Sequence, residues 1–178
     1  MALRPIHLLG SPVLRQKAEP VGELDATVRQ LVQDLFDTMR ADKGVGLAAN
    51  QVGIARRVAV VAAENTSPLV LIDPTILERE GKIRAEEGCL SIPEIYGDVD
   101  RAKDILVETT TLEGVRTRLR ATDLQSRVIQ HEIDHLDGIL FIDHLSPLKR
   151  RMLLKKWKKL RKGESGYLKE VCPAGVGD

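Results

Sequence analysis

Aromatic residues are scarce: Phe, Trp and Tyr make up 3% of the 178 positions. The core must therefore be mostly Leu, Ile, Val and Ala. Stacking platforms for single-stranded nucleic acid are hard to assemble from so few rings. Cysteine is scarce too. Cys89 and Cys172 are the two present, which excludes a disulfide scaffold and favours a reducing compartment. Long apolar runs are missing. The most apolar stretch, Val58 to Ala63, falls far short of the roughly 20 residues that cross a bilayer. Met1 to Gly10 lacks the apolar stretch of a secretory signal. The expectation is a cytoplasmic protein with no membrane partner.

What is present suits one compact domain. The hydrophobic fraction is 43% and the charged fraction 30%, as in globular chains that bury a real core. Lys and Arg number 27 against 26 Asp and Glu, but nine of the 27 lie between Lys149 and Lys162, where there is no acidic residue. Without those nine, 18 basic residues face 26 acidic ones, a net of −8. Such a body is not a general nucleic-acid binder, and DNA is not an expected partner. The basic element could serve as a local contact for an anionic partner.

The hydrophobic pattern orders the elements. Val28, Leu31, Val32, Leu35, Phe36 and Met39 fall on one face at helical spacing, and Lys43-Gly44 ends that helix. The stretch Gly44 to Gly53 is too glycine-rich for a regular element. Val58 to Ala63 and Leu69 to Ile72 read as buried strands, with a resumption at Thr75 to Leu77. Asp104 to Leu112 and Val115 to Arg120 flank Glu113-Gly114, a hairpin signal. Thr122 to Gly138 reads as a second helix with capping-box spacing at Thr122 and Gln125. Ser146-Pro147 opens a third that runs to about Lys162. Strands and helices do not alternate regularly, so the fold class is α+β with mainly antiparallel sheets. One domain over residues 1–163 includes the basic helix 147–162, and residues 164–178 are expected to be a flexible tail. Leu148, Met152, Leu153, Trp157 and Leu160 form an apolar stripe expected to dock that helix on the body.

The strongest chemical signal is His131-Glu132-Ile133-Asp134-His135. On a helix, residues i and i+4 lie on one face, so two imidazoles can share one metal ion. Glu132, next to the first, can point into the same cavity as a base. The third ligand discriminates between families. Where Met-turn metalloproteases place a third His, this chain has Phe141. No Glu lies between Glu132 and Glu164 to serve as a thermolysin-like ligand, and the close cysteine pair of zinc deaminases is missing. Asp137, Asp143 and His144 remain nearby, and Cys89, beside Gly88, is the best upstream candidate. Gly44, Gly46 and Ala49 match a dinucleotide fingerprint, but they follow a helix instead of a strand. Nucleotide binding is rejected.

Three segments now coincide: Gly44 to Gln51, Glu87-Gly88-Cys89-Leu90-Ser91 and Gln130 to His135. Together they resemble the three signature motifs of the peptide deformylase family, in the same order and at matching separations. Ile139-Leu140-Phe141 and Leu145 to Lys149 resemble its bacterial form. The resemblance implies an α+β fold whose central helix carries His131 and His135. It implies removal of the formyl group from the formyl-methionine of nascent polypeptides, with release of formate. It implies that Cys89, His131 and His135 hold one divalent ion, Fe2+ first, with Zn2+, Ni2+ or Co2+ as substitutes. Gln51 and the Leu90 N–H would flank the reacting carbonyl, Glu132 would be the base, and the Gly46 backbone would meet the substrate amide. Val45, Leu124, Val128 and the aliphatic stem of Arg127 could receive the methionine side chain, and equally could be core. Glu87 and Arg101 are expected to pair and tie the cysteine loop down. Helix 147–162 could meet the ribosome, and a monomer is expected. Two other readings remain open: a metallopeptidase, or a structural metal holding a ribosome-binding module.

Overall fold

The computed structural model describes residues 2–173 and 175. The first helix, α1, spans Ala26–Ala41, and the Asp25 carboxylate caps it by accepting from the Val28 N–H. Val28, Leu31, Val32, Leu35 and Met39 are buried along one face, as their spacing requires. The left-handed residue after the helix is Lys43, at φ 58°, not Gly44. Gly44 is small for another reason: a Cβ there would meet the Leu90 side chain.

Strands β2 (Gly46–Ala48), β3 (Val58–Val61) and β4 (Leu69–Ile72) form an antiparallel sheet in that order. Val58 and Val60 pack with α1, while Ala59 and Val61 pack toward the second helix. Both faces are covered, which explains the unbroken apolar run. The glycine-rich stretch departs from expectation. It holds β2 and a 3₁₀ turn at Ala49–Val52. Its small residues reflect close packing between layers, not loop structure.

β5 (Thr75–Glu80), β8 (Asp104–Thr110) and β9 (Arg116–Thr122) make a second antiparallel sheet. Between them, β6 (Ile83–Cys89) and β7 (Ile92–Arg101) form a hairpin that the sequence pattern did not mark. Its period of two is present: Ile95, Gly97, Val99 and Arg101 point inward and Tyr96, Asp98 and Asp100 outward. A glycine and an arginine at inward positions disguised it.

The second helix, α2 (Asp123–Leu136), lies against β2, β3 and β9. Val128, Ile129, Ile133 and Leu136 join Ala48, Ala59, Val61, Leu71, Ile105 and Val107 in one core. Thr122 is the N-cap residue, but its side chain makes no capping bond. At the other end Gly138 adopts φ 75° and its N–H returns to the His135 carbonyl, the usual glycine stop.

The third helix, α3 (Pro147–Leu160), starts at Ser146, whose hydroxyl accepts from the Lys149 N–H. Trp157 is buried, and Leu153 and Leu154 pack against the core cluster that includes Ile95, Val99 and Leu145. Leu148 and Met152 are 66% and 62% exposed, and Leu160 is exposed too. The expected stripe therefore docks only in part. Met152 lies about 100° round the helix from Leu153, outside the contact face. Within the segment 164–178, expected to be a tail, one short strand forms, and residues 174 and 176–178 lie outside those described. β10 (Leu168–Lys169) pairs antiparallel with β1 (Ile6–His7). No helix among the described residues is long and apolar enough to cross a membrane.

Candidate metal centre

α2 places His131 and His135 one turn apart, and the β6–β7 turn brings Cys89 to them. The Cys89 Sγ is 3.3 Å from the His135 Nε2, which is 3.1 Å from the His131 Nε2. The three ligand-type atoms lie within 4.8 Å of one another. The other ligand candidates are engaged elsewhere. Asp137 pairs with Arg57, Asp143 with Arg15 and Arg150, and His144 with Asp134.

The surroundings fit a cation. Burial first, and then the neighbouring charges of His131 and Arg101, hold the His135 imidazole well below its usual range. It is thus neutral, with a lone pair to offer. Burial also opposes a charge on His131, but hydrogen bonding to Cys89 and Glu87 raises it. A metal ion competes with that proton for the same lone pair. The His131 Nδ1 meets the Glu87 carboxylate at 3.1 Å, a partner that orients a ligating ring. A soft thiolate with two imidazoles suits iron, zinc, nickel or cobalt.

Glu87 is the hub of a buried network. Arg101 binds it through two nitrogens and also binds Asp134, which His144 contacts in turn. Burial would raise the Glu87 carboxyl. Hydrogen bonds from His131 and Arg101, and the Arg101 charge, outweigh it and bring the pKa to about 2. The expected Glu87–Arg101 pair is present. The part played by His144 was not anticipated, because nothing in its sequence spacing links it to Arg101.

Glu132 is buried on α2 beside the two histidines, and its Oε2 has no hydrogen-bond partner. Burial pushes its pKa up to about 7, against the pull of His131. Gln51 is buried as well. Its Oε1 accepts from the Ala48 N–H at 3.0 Å, while its Nε2 lies 3.1 Å from the Ser91 Oγ and 3.5 Å from the Cys89 Sγ. The amide thus caps its own loop and presents its NH2 to the site. Ser91 was missed as the residue that aims it, although it stands inside the cysteine motif.

A cleft of about 500 Å3 opens over these groups. Val45, Gly46, Gln51, Cys89, Leu90, Leu124, Arg127, Val128, His131 and Glu132 all line it, while His135 is buried behind. Val45 and Leu124 are exposed in it and Val128 is buried. The Arg127 guanidinium turns away into the β6–β7 hairpin. There it donates to the Ile83, Ala85 and Val99 carbonyls and meets Glu87. Only its stem remains for the cleft. Tyr96 is exposed at the rim.

A thiol and two imidazoles around one point, with a buried carboxyl beside them and an open cleft above, describe a metal-dependent hydrolase with a single ion. Comparison with known proteins places it more closely. A sequence profile for polypeptide deformylase matches residues 3–151. A peptide deformylase of Endomicrobium trichonymphae is 44% identical over 164 residues, which cover 91% of this chain and 98% of that protein. The crystal structure of a peptide deformylase from Legionella pneumophila superposes with a TM-score of 0.83 at 38% identity, covering 92% of this chain and 100% of that one. That of a peptide deformylase from Ehrlichia chaffeensis in complex with actinonin gives 0.87 at 33% identity, covering 93% and 100%. The chain belongs to the polypeptide deformylase family, metal-dependent hydrolases that remove the N-formyl group from nascent polypeptides.

Proposed function

We propose that Cys89, His131 and His135 hold one divalent ion, Fe2+ in the cell, and that Glu132 is the acid–base residue of deformylation. The observation that carries this reading is the Glu132 carboxyl: buried, unpartnered at Oε2, and beside the three converging donors. When bound, such an ion supplies Lewis acidity, lowering the pKa of a water and polarising an oxygen. The remaining work falls to the chain. Glu132 accepts the proton of the attacking water as its oxygen bonds to the formyl carbon. It then delivers that proton to the nitrogen as the C–N bond breaks. Formate and a free amino terminus result.

The Gln51 Nε2 and the Leu90 N–H are the donors for the developing oxyanion. Loss of one such donor typically lowers kcat about 10²- to 10³-fold. β2 is an edge strand, and the Ala48 N–H points off its free side toward Gln51. The Gly46 N–H, two residues earlier, points the same way, where it can meet the substrate backbone. Val45, Leu124, Val128 and the Arg127 stem form the apolar receptacle for the methionine side chain.

The same reading makes the protein a cytoplasmic monomer. Its exposed α3 face, with Lys155, Lys156 and Lys159, contacts the ribosome from which the substrate emerges. Reversing those three charges to Glu leaves the Trp157 anchor in place. It should abolish a steeply salt-dependent ribosome association, and unchanged association would remove this partner.

Formate release from a formyl-Met peptide by anaerobically purified protein tests the chemistry. Release should vanish on chelation and return with Fe2+. Glu132→Gln should keep the ion and lose about 10²-fold or more of the rate. Full turnover by that variant would refute the base assignment.

A further inference from the structure

The cleft has a wall that the family profile does not reach. The profile ends at residue 151, yet Lys169 lines the cleft together with Asp42, Lys43, Glu86 and Glu94. After α3 the chain turns back. The Tyr167 carbonyl accepts from the Leu8 N–H at 2.7 Å, and Ile6 pairs with Lys169. The Tyr167 ring covers Gly10, where a Cβ would collide with it. The next N–H of the same N-terminal segment, that of Leu9, donates to the Ser91 carbonyl, two residues from Cys89. The return strand is thus tied to the segment that abuts the cysteine loop. Its register decides where Lys169 points, since a slip of one residue would turn the side chain to the other face.

Lys169 is not a loose surface lysine. Its side chain is 31% exposed, and its Nζ meets the Asp42 Oδ2 at 2.5 Å at the end of α1. An ammonium carries three donors, so this contact leaves others free. Lys43, the next residue after Asp42, is exposed and joins no ion pair among the described residues. That corner therefore holds two ammoniums and one carboxylate. It adjoins Val45 and Gly46, the segment assigned above to the substrate backbone. The acidic rim groups, Glu86 and Glu94, sit on the β6–β7 hairpin instead.

Resting on the deformylase reading, we propose that Lys169 is a specificity-determining residue. It favours nascent chains with an Asp or Glu side chain among the residues that follow the formyl-methionine. The substrate carboxylate takes the free donors of the Lys169 ammonium while Asp42 keeps that ammonium aimed at the cleft. The contact is partly exposed, so its effect is modest and falls with salt.

The test compares kcat/KM for formyl-Met peptides bearing Glu, Gln or Lys at the second, third or fourth position, in Fe2+-loaded full-length protein at low and high salt. At one position Glu should exceed Lys by about two- to five-fold, through KM, and the ratio should shrink in high salt. Lys169→Met should flatten that ratio, Lys169→Glu should invert it, and Lys169→Arg should preserve it. Equal values for the three peptides with the native chain would overturn the proposal. So would a Lys169→Met variant whose loss is the same for every peptide, since that is the signature of a strand anchor alone. Absence of formate release even from the Gln peptides would instead remove the deformylase reading, and this inference with it.

Discussion

A Cβ on Gly46 would overlap the carboxyl of Glu132. The edge strand therefore passes directly over the buried acid, and only a glycine allows that approach. Gly46→Ala should push the Glu132 carboxyl out of position while leaving the Cys89, His131 and His135 donors untouched. Small misplacements of a reacting group cost on the order of 10²-fold. The expected result is a kcat down by about that factor with metal content unchanged, measured by formate release and elemental analysis.

Cys89 ties the β6–β7 turn to α2 through its sulfur. Cys89→Ser exchanges a soft thiolate for a hard, weakly acidic hydroxyl. Metal content after dialysis should fall below one equivalent, and activity should fall in parallel. Full retention would show that the two histidines hold the ion without the thiol.

Arg101 is buried between two carboxylates, Glu87 and Asp134. Arg101→Ala would remove the cation that bridges them, leaving Glu87 with Arg127 and Asp134 with no arginine partner. Loss of one partner of a buried pair costs about 3–5 kcal/mol. The melting temperature should drop accordingly. Metal retention should weaken too, because Glu87 orients His131. Calorimetry and dialysis report the two effects separately, and no change in either would show that the network is not what ties the cysteine loop down.

Asp143 links Arg15, Arg150 and the Leu140 N–H. Burial would raise its carboxyl, but the Arg15 hydrogen bond and the other contacts outweigh that and lower it below the usual 3.8. A carboxyl depressed in the folded state contributes stability above its unfolded pKa, and that contribution is lost as pH falls through the folded value. Asp143→Asn should therefore lower stability at pH 7 by about 0.5–1 kcal/mol, since the group is partly exposed and screened. The deficit against the native chain should close below about pH 3.8. Urea midpoints from pH 7 down to pH 3 provide the check.

Much of the site was legible because its chemistry is local. His131, Glu132 and His135 lie within five residues, and helical geometry alone puts them on one side. The ends of α1, α2 and α3 were readable from Met39 to Gly44, from Gly138 and from Ser146-Pro147, since capping and glycine stops act over a few residues. The β6–β7 hairpin was not. Gly97 and Arg101 sit at inward positions because of what packs on them: Leu145 and Leu153 in one case, Glu87 and Asp134 in the other.

Sequence by itself determined the helix face that carries His131, Glu132 and His135, the α+β class and the family, because motif spacing and residue chemistry need no knowledge of distant contacts. Tertiary structure showed which candidate donor comes to the two histidines: Cys89 does, while Asp137, Asp143 and His144 are drawn off by Arg57, Arg15 and Asp134. It also decided that the Arg127 guanidinium faces the hairpin, that α3 leaves Leu148 and Met152 in solvent, and that residues 167–169 return to the cleft. Each of these depends on long-range pairing. The free energy of that pairing is set by partners tens of residues away, and no local pattern in the chain encodes it.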